Sequence, residues 1–317
     1  MVARQEQHRP HTARGLDPET LLAIRDLELR ARVVVQGLWS GLHRSPFSGF
    51  SVEFTEYRQY VPGDDLRYMD WRVLARTDRE YVRKFEDETN LRCHLLIDHS
   101  RSMTFGSRSV TKAEYARTLA ACLGYFLLQQ RDMVGLALFG ADLIDHLPAR
   151  WRPGHLRRLL AMLEREHPAG ETRLDLALEQ AARLWRKRAV VVLVSDFLGP
   201  VEAWTRPLAR LVAAGHDVRA IQVLDPAEIS LEFGRAAEWM DLETGRRLFL
   251  DPAQARTGYQ SRFQEHAQAL RAALDAAAVP LHVATTDHPI DLTLLEWLKR
   301  SQPRGARARR GSSLPRR

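Results

Sequence analysis

Five side chains bearing oxygen donors stand where they could hold a hard cation. Asp98, Ser100 and Ser102 fall at i, i+2 and i+4 in the run LRCHLLIDHSRSM (91–103), directly after an apolar stretch. Thr172 lies in GETRL, and Asp196 closes the β-branched run VVVLVSD. Two carboxylates and three hydroxyls, with no thiol or imidazole required, suit Mg2+, which takes oxygen ligands and keeps some of its waters. Mn2+ or Ca2+ would accept the same set, whereas Zn2+ looks for Cys or His. Taken alone, D-x-S-x-S reads equally well as a capped strand-to-helix turn, with both serines bonded to backbone amides. What separates the two readings is whether the chain brings Thr172 and Asp196 to the same place.

The elements that would have to do so begin at residue 91. Leu91–Asp98 reads as a buried strand and Lys112–Gln130 as a helix with its Ala and Leu residues on one face. Val134–Gly140 is a second strand, and Asp142–Pro148 follows so closely that it must return antiparallel. His155–Arg165 and Leu174–Arg186 read as helices, Ala189–Asp196 as a strand and Val201–Ala214 as a helix. Asp217–Asp225 is again a strand, Gln254–Ala278 a helical region, Leu281–Thr286 a last strand and Asp291–Lys299 a last helix. Two alternating runs around Thr244-Gly245 make residues 237–251 an inserted β-hairpin.

Continuously apolar strands alternating with helices predict an α/β fold: a doubly wound, mostly parallel sheet covered on both faces. In such a sheet, ordered 3-2-1-4-5-6, strands 1 and 4 are neighbours and ligands bind at their carboxyl ends. Asp98 and Asp196 end those two strands, and Thr172 precedes the helix that leads into the second. Three distant segments are thus expected to meet at one crevice.

Ahead of this region, residues 17–38 read as one helix, capped by Asp17 with Pro18 in its first turn. Residues 39–90 alternate aromatic and charged side chains, turn at Pro62-Gly63, and predict short strands and loops. The expected organisation is a disordered 1–16, an N-terminal segment (17–90) packed on the sheet, the α/β domain (91–300), and a disordered tail (301–317).

The 317 residues are 45% apolar and 27% charged, as in a soluble globular protein. Of the formal net charge of +7, six positive charges lie in 301–317, so the rest of the chain is nearly neutral. That tail is read as a solvated terminus rather than a nucleic-acid-binding arm. Cys93 and Cys122 lack CxxC spacing and read as buried free thiols in a reducing compartment. Without an apolar signal segment, or any apolar stretch of the roughly 20 residues that span a bilayer, the expected location is the cytoplasm, with no stable membrane insertion. No P-loop, G-x-S-x-G elbow or H-E-x-x-H is present.

Asp98, Ser100, Ser102, Thr172 and Asp196 resemble the metal-ion-dependent adhesion site of von Willebrand factor A-like domains. The preceding segment is more specific: Glu53-Phe54-x-Glu56-x-Arg58-x-Tyr60-x-Pro62-Gly63-Asp64-Asp65-x-Arg67, then Asp70-Trp71, Ala75-Arg76, Phe85-Glu86 and Glu88. Over about residues 35–230 the chain resembles the domain-of-unknown-function 58 family, bacterial proteins commonly encoded beside MoxR-type AAA+ ATPases. The resemblance implies that Ser100, Ser102 and Thr172 offer hydroxyls to Mg2+, that Asp98 and Asp196 contact it directly or through water, and that a partner's carboxylate completes the site. It also implies a MoxR-type ATPase as partner, together with a protein client. Arg58, Asp64, Arg67, Asp70 and Arg76 could then be a docking surface, although an internal salt-bridge network is the favoured reading. The function expected is a non-catalytic adaptor. The alternative is a Mg2+-dependent phosphotransfer or hydrolytic enzyme using Asp98, but that chemistry ordinarily wants a second acid at i+2, where Ser100 stands.

Overall fold

Near-continuous apolar character in the strands that end at Asp98 and Ser195, interrupted by Arg92 and His94 alone, leaves neither a polar solvent face, so both must be covered on two sides. A computed structural model shows how this is done; it describes residues 15–43, 56–59, 81–84, 91–165, 172–233, 237–242 and 245–300. In chain order the elements are α1 (Pro18–Leu22), α2 (Leu27–His43), β1 (Glu56–Gln59), β2 (Tyr81–Lys84), β3 (Arg92–Asp98), α3 (Lys112–Gln129), β4 (Met133–Phe139) and β5 (Leu143–Arg150). There follow α4 (His155–Glu164), α5 (Leu174–Leu184), β6 (Val190–Ser195), α6 (Val201–Ala213), β7 (Asp217–Leu224) and α7 (Pro226–Ser230). The remainder are β8 (Ala237–Met240), β9 (Arg247–Leu250), α8 (Pro252–Ala276), β10 (Leu281–Thr285) and α9 (Ile290–Arg300).

Six strands form one sheet in the order β10-β7-β6-β3-β4-β5. All neighbours are parallel except β5, which returns antiparallel to β4. This is the doubly wound order expected, with the edge strand reversed as its short connection requires. Because strand side chains alternate between faces, the sheet supports two cores. Leu95, Ile97, Val192 and Val194 meet Leu119, Leu123, Leu159 and Leu294 on one side. Leu96 and Leu193 meet Leu178, Leu208 and Leu270 on the other. α2 buries Ala31, Val34 and Val35 against α3, α4 and α9, so it lies outside the first helical layer.

The N-terminal helix departs from expectation. Residues 17–38 are not one helix: α1 ends at Leu22 and α2 starts afresh at Leu27 and runs to His43. Two aspartates account for the break. The Asp17 carboxylate accepts the Thr20 N–H at 3.0 Å, and Asp26 accepts the Leu29 N–H at 2.8 Å, so each caps its own helix. α8 likewise starts two residues early, at Pro252, with Asp251 accepting the Ala253 N–H at 3.0 Å.

β8 and β9 pair antiparallel, as the expected hairpin, and leave Leu248 and Phe249 exposed. β1 and β2 also pair antiparallel. Most of 44–90, including Pro62-Gly63, Asp64, Arg67, Asp70 and Arg76, lies outside the described residues, as do Thr244, 1–14 and 301–317. Cys93 and Cys122 are buried free thiols. Among the described residues, no helix is long and apolar enough to cross a membrane.

Candidate metal-binding site at the carboxyl end of the sheet

The β3–β6 register pairs Ile97 with Val194, which sets Asp98 level with Ser195 and Asp196 one residue beyond. Asp98 and Ser195 therefore share a face of the sheet. The Ser195 hydroxyl donates to Asp98 Oδ2 at 2.5 Å, and the Ser100 N–H donates to Asp98 Oδ1 at 2.9 Å. A short 3-10 turn, Arg101–Thr104, carries Ser102 back beside Ser100, with their hydroxyl oxygens 3.0 Å apart. The Ser100 side chain makes no capping bond to this turn. The capped-turn reading is thus not realised at Ser100, whose hydroxyl faces Ser102 beside the buried carboxylate.

Asp196 emerges toward the opposite core, where α3 begins. The Lys112 ammonium, in the first turn of that helix and fully buried, donates to Asp196 Oδ2 at 2.8 Å and to Glu228 Oε1 at 2.5 Å. Asp196 Oδ1 accepts the Leu198 N–H at 3.2 Å, and the Gln222 amide fixes the Asp196 carbonyl at 2.9 Å. Burial, and then the charge of Asp196, pushes the Asp98 carboxyl up to about 7 against the hydrogen bonds from Ser195 and Ser100. Burial works against the Lys112 ammonium, but Asp196 and Glu228 outweigh it and hold its pKa above the ordinary value. Burial also raises the Glu228 carboxyl, with Lys112 pulling the other way.

Loops around the site are tied to strand ends. Asp225, at the end of β7, accepts the Ser107 N–H at 2.9 Å and its hydroxyl at 2.5 Å, anchoring the segment that follows the two serines. The same carboxylate caps α7 through the Ala227 N–H. Burial alone would raise the Asp225 carboxyl, yet these bonds bring it below the ordinary range. α8 reaches the site twice: Tyr259 donates to the Glu228 carbonyl at 2.6 Å, and His266 Nε2 bonds the carbonyl of Phe197 at 2.7 Å. Phe197 itself sits at a φ of 54°, uncommon for a side chain of its size.

Thr172 is held by its neighbour, as the Arg173 N–H donates to the carbonyl of Gly140 beyond β4 at 2.8 Å. It lines a cleft of about 230 Å³ together with Ser195, Phe197, Pro200 and Trp204. The structure therefore joins Asp98, Ser100 and Ser102 by direct bonds, and sets Asp196 close enough for its charge to act on Asp98. It brings Thr172 to the wall formed by Ser195. Sequence reasoning missed Lys112, Ser195, Gln222, Asp225 and Glu228. Asp225-Pro226-x-Glu228 carries a readable capping-box signal, and Ser195 is the one polar residue in an apolar run. Lys112 and Gln222 carry none.

A family model described as "Protein of unknown function DUF58" matches residues 56–269. The chain belongs to the DUF58 family. Relatives of this DUF58 protein include uncharacterized proteins of Mycobacterium bovis and Mycobacterium tuberculosis. Each is 35% identical over 253 residues, spanning 78% of this chain and 79% of the relative. Similar solved structures include the conserved hypothetical protein BatB of Bacteroides thetaiotaomicron, with 16% identity, a TM-score of 0.41, and coverage of 66% of this chain and 99% of that one. Another is the SpRpn10 VWA domain, with 14% identity, a TM-score of 0.38, and coverage of 64% and 93%.

The donors of this DUF58 site are chemically suited to a hard divalent ion. Among the described residues, no three His, Cys, Asp or Glu side chains are placed to hold a metal ion together, so a cation would rest on hydroxyls together with the strand-end carboxylates. Hydroxyl and carboxylate oxygen is the ligand set of Mg2+ and its like, not of Zn2+. Asp98, with its carboxyl pushed up by burial and by a second acid, is a group whose charge such an ion would stabilise.

Proposed function

We propose that this DUF58 protein is a non-catalytic, Mg2+-dependent protein-binding module of the cytoplasm. Its site would hold an acidic side chain of a partner. The observation that carries this reading is the cluster at the switch point of the sheet, where buried Asp98 lies bonded to Ser195 and beside the Ser100–Ser102 hydroxyl pair. A bound divalent ion supplies a concentrated positive charge that can take a carboxylate from another protein. This chain's residues do the rest. Ser195 and the Ser100 amide orient Asp98, Asp225 fixes the loop behind the serines, and Gln222 sets the backbone at Asp196. The apolar wall of Phe197, Pro200 and Trp204 beside Thr172 offers a seat for a side chain next to the partner's acid.

The partner proposed is a MoxR-type AAA+ ATPase, with this protein as an adaptor that presents a client for assembly or maturation. The support for that partner is the resemblance of residues 53–88 and of the site pattern. Catalysis through Asp98 has less support, since Ser100 at i+2 cannot serve as a carboxylate acid or base. Co-precipitation with the ATPase tests the proposal, using wild type and Asp98→Ala, each in Mg2+ and in EDTA. Binding should be lost in EDTA and in the variant while both proteins stay folded. Metal-independent binding that survives Asp98→Ala overturns it.

A further inference from the structure

Lys112 is oddly placed for a lysine. It is fully buried, and it stands in the first turn of α3, where the helix dipole disfavours positive charge. Burying an ammonium costs several kcal/mol unless close partners compensate. Its partners are Asp196 at 2.8 Å and Glu228 at 2.5 Å, which come from the ends of two other segments of the fold. Nothing about helix stability recommends a cation there, so the two acids account for it. Gln222, Leu198 and the α7 capping box hold those acids in place independently of Lys112.

From this arrangement we infer that Lys112 is a built-in counter-cation, which competes for the charge of Asp196 and so sets how tightly the site takes a divalent ion. Glu228 is its opposing weight: it draws the ammonium partly away and adds negative charge to the cluster. The inference rests on the metal-binding reading and adds to it a positioning pair, Lys112 and Glu228, that acts through Asp196. At the separations of a buried cluster, adding or removing one unit charge is enough to move the affinity of a doubly charged ion by about tenfold or more. A site tuned in this way would hold its ion less firmly alone than its carboxylates would permit.

Titration calorimetry with Mg2+ and Mn2+ on the full chain tests this, alongside thermal melts in EDTA. Lys112→Met should tighten ion binding about tenfold or more, and Glu228→Gln should weaken it comparably. The K112M/E228Q double variant should return toward wild type. If Lys112 only holds the fold together, Lys112→Met will bind the ion no better than wild type or worse, and that result overturns the inference. Should Lys112→Met fail to fold, Glu228→Gln decides: unchanged or tighter binding overturns it, and weaker binding supports it. A wild-type protein that takes up neither ion sinks the metal-binding reading itself, an outcome distinct from a wild type that binds and a lysine variant that does not tighten.

Discussion

His94 is buried on β3, stacked on Trp185 with ring centroids 4.3 Å apart, and its Nδ1 has no hydrogen-bond partner among the described residues. Burial, and then the charge of His146, pushes its imidazole down to about 3, from an ordinary value of 6.5. The unfolded chain therefore takes up this proton first. The stability His94 contributes is complete above pH 6.5 and is lost as pH falls toward 3, by up to about 1.4 kcal/mol per pH unit. His94→Phe keeps the stacked ring and removes the proton site. Chemical denaturation from pH 7 to pH 5 should show a flatter acid limb in the variant, and an unchanged limb would refute this account. At the same scale, Asp98 and Asp196 were legible in the sequence because each closes an apolar run. Lys112 was not, because a lysine in the first turn of a helix reads as a solvated charge until the acids facing it are known.

Strands were legible as elements because β6 is apolar up to its closing Ser195, β3 carries an apolar Leu95–Ile97 run before Asp98, and the interval between β4 and β5 is too short for a parallel crossover. The break between α1 and α2 was hidden, since the apolar spacing of Leu21, Leu22, Ile24, Leu27 and Leu29 runs straight across it. Only the two capping aspartates reveal two helices. Asp26→Ala removes the cap of α2 and should cost about 1 kcal/mol by thermal or urea unfolding. Asp26→Asn, which keeps a capping oxygen, should recover most of that. Equal losses in the two variants would mean that the cap contributes little. The short α7 escaped notice for a different reason: a five-residue helix has no periodicity to read, only its Asp225–Glu228 capping box.

Among the described residues, two cores lie on opposite faces of the six-stranded sheet. Leu119 belongs to the first and Leu208 to the second, both fully buried. Because β3 and β6 contribute residues to both, damage to either should be felt by all. Leu119→Ala and Leu208→Ala should each lower stability by about 2–5 kcal/mol, within one cooperative transition seen alike by circular dichroism and tryptophan fluorescence. Two separated transitions in either variant would show the layers to be independent. The doubly wound order and the meeting of its two strand ends followed from alternation alone, because parallel connections leave few topologies open. How the helices on the second face grip the site did not follow, since it depends on single contacts from α8. In mechanical terms that helix is a lever. Its near end follows directly from an exposed hairpin, its Tyr259 bears on Glu228, and its His266 bears on Phe197 immediately after Asp196. One continuous helix therefore ties an exposed hairpin both to Glu228 and to the residue after Asp196, and these are the two acids that share the Lys112 ammonium.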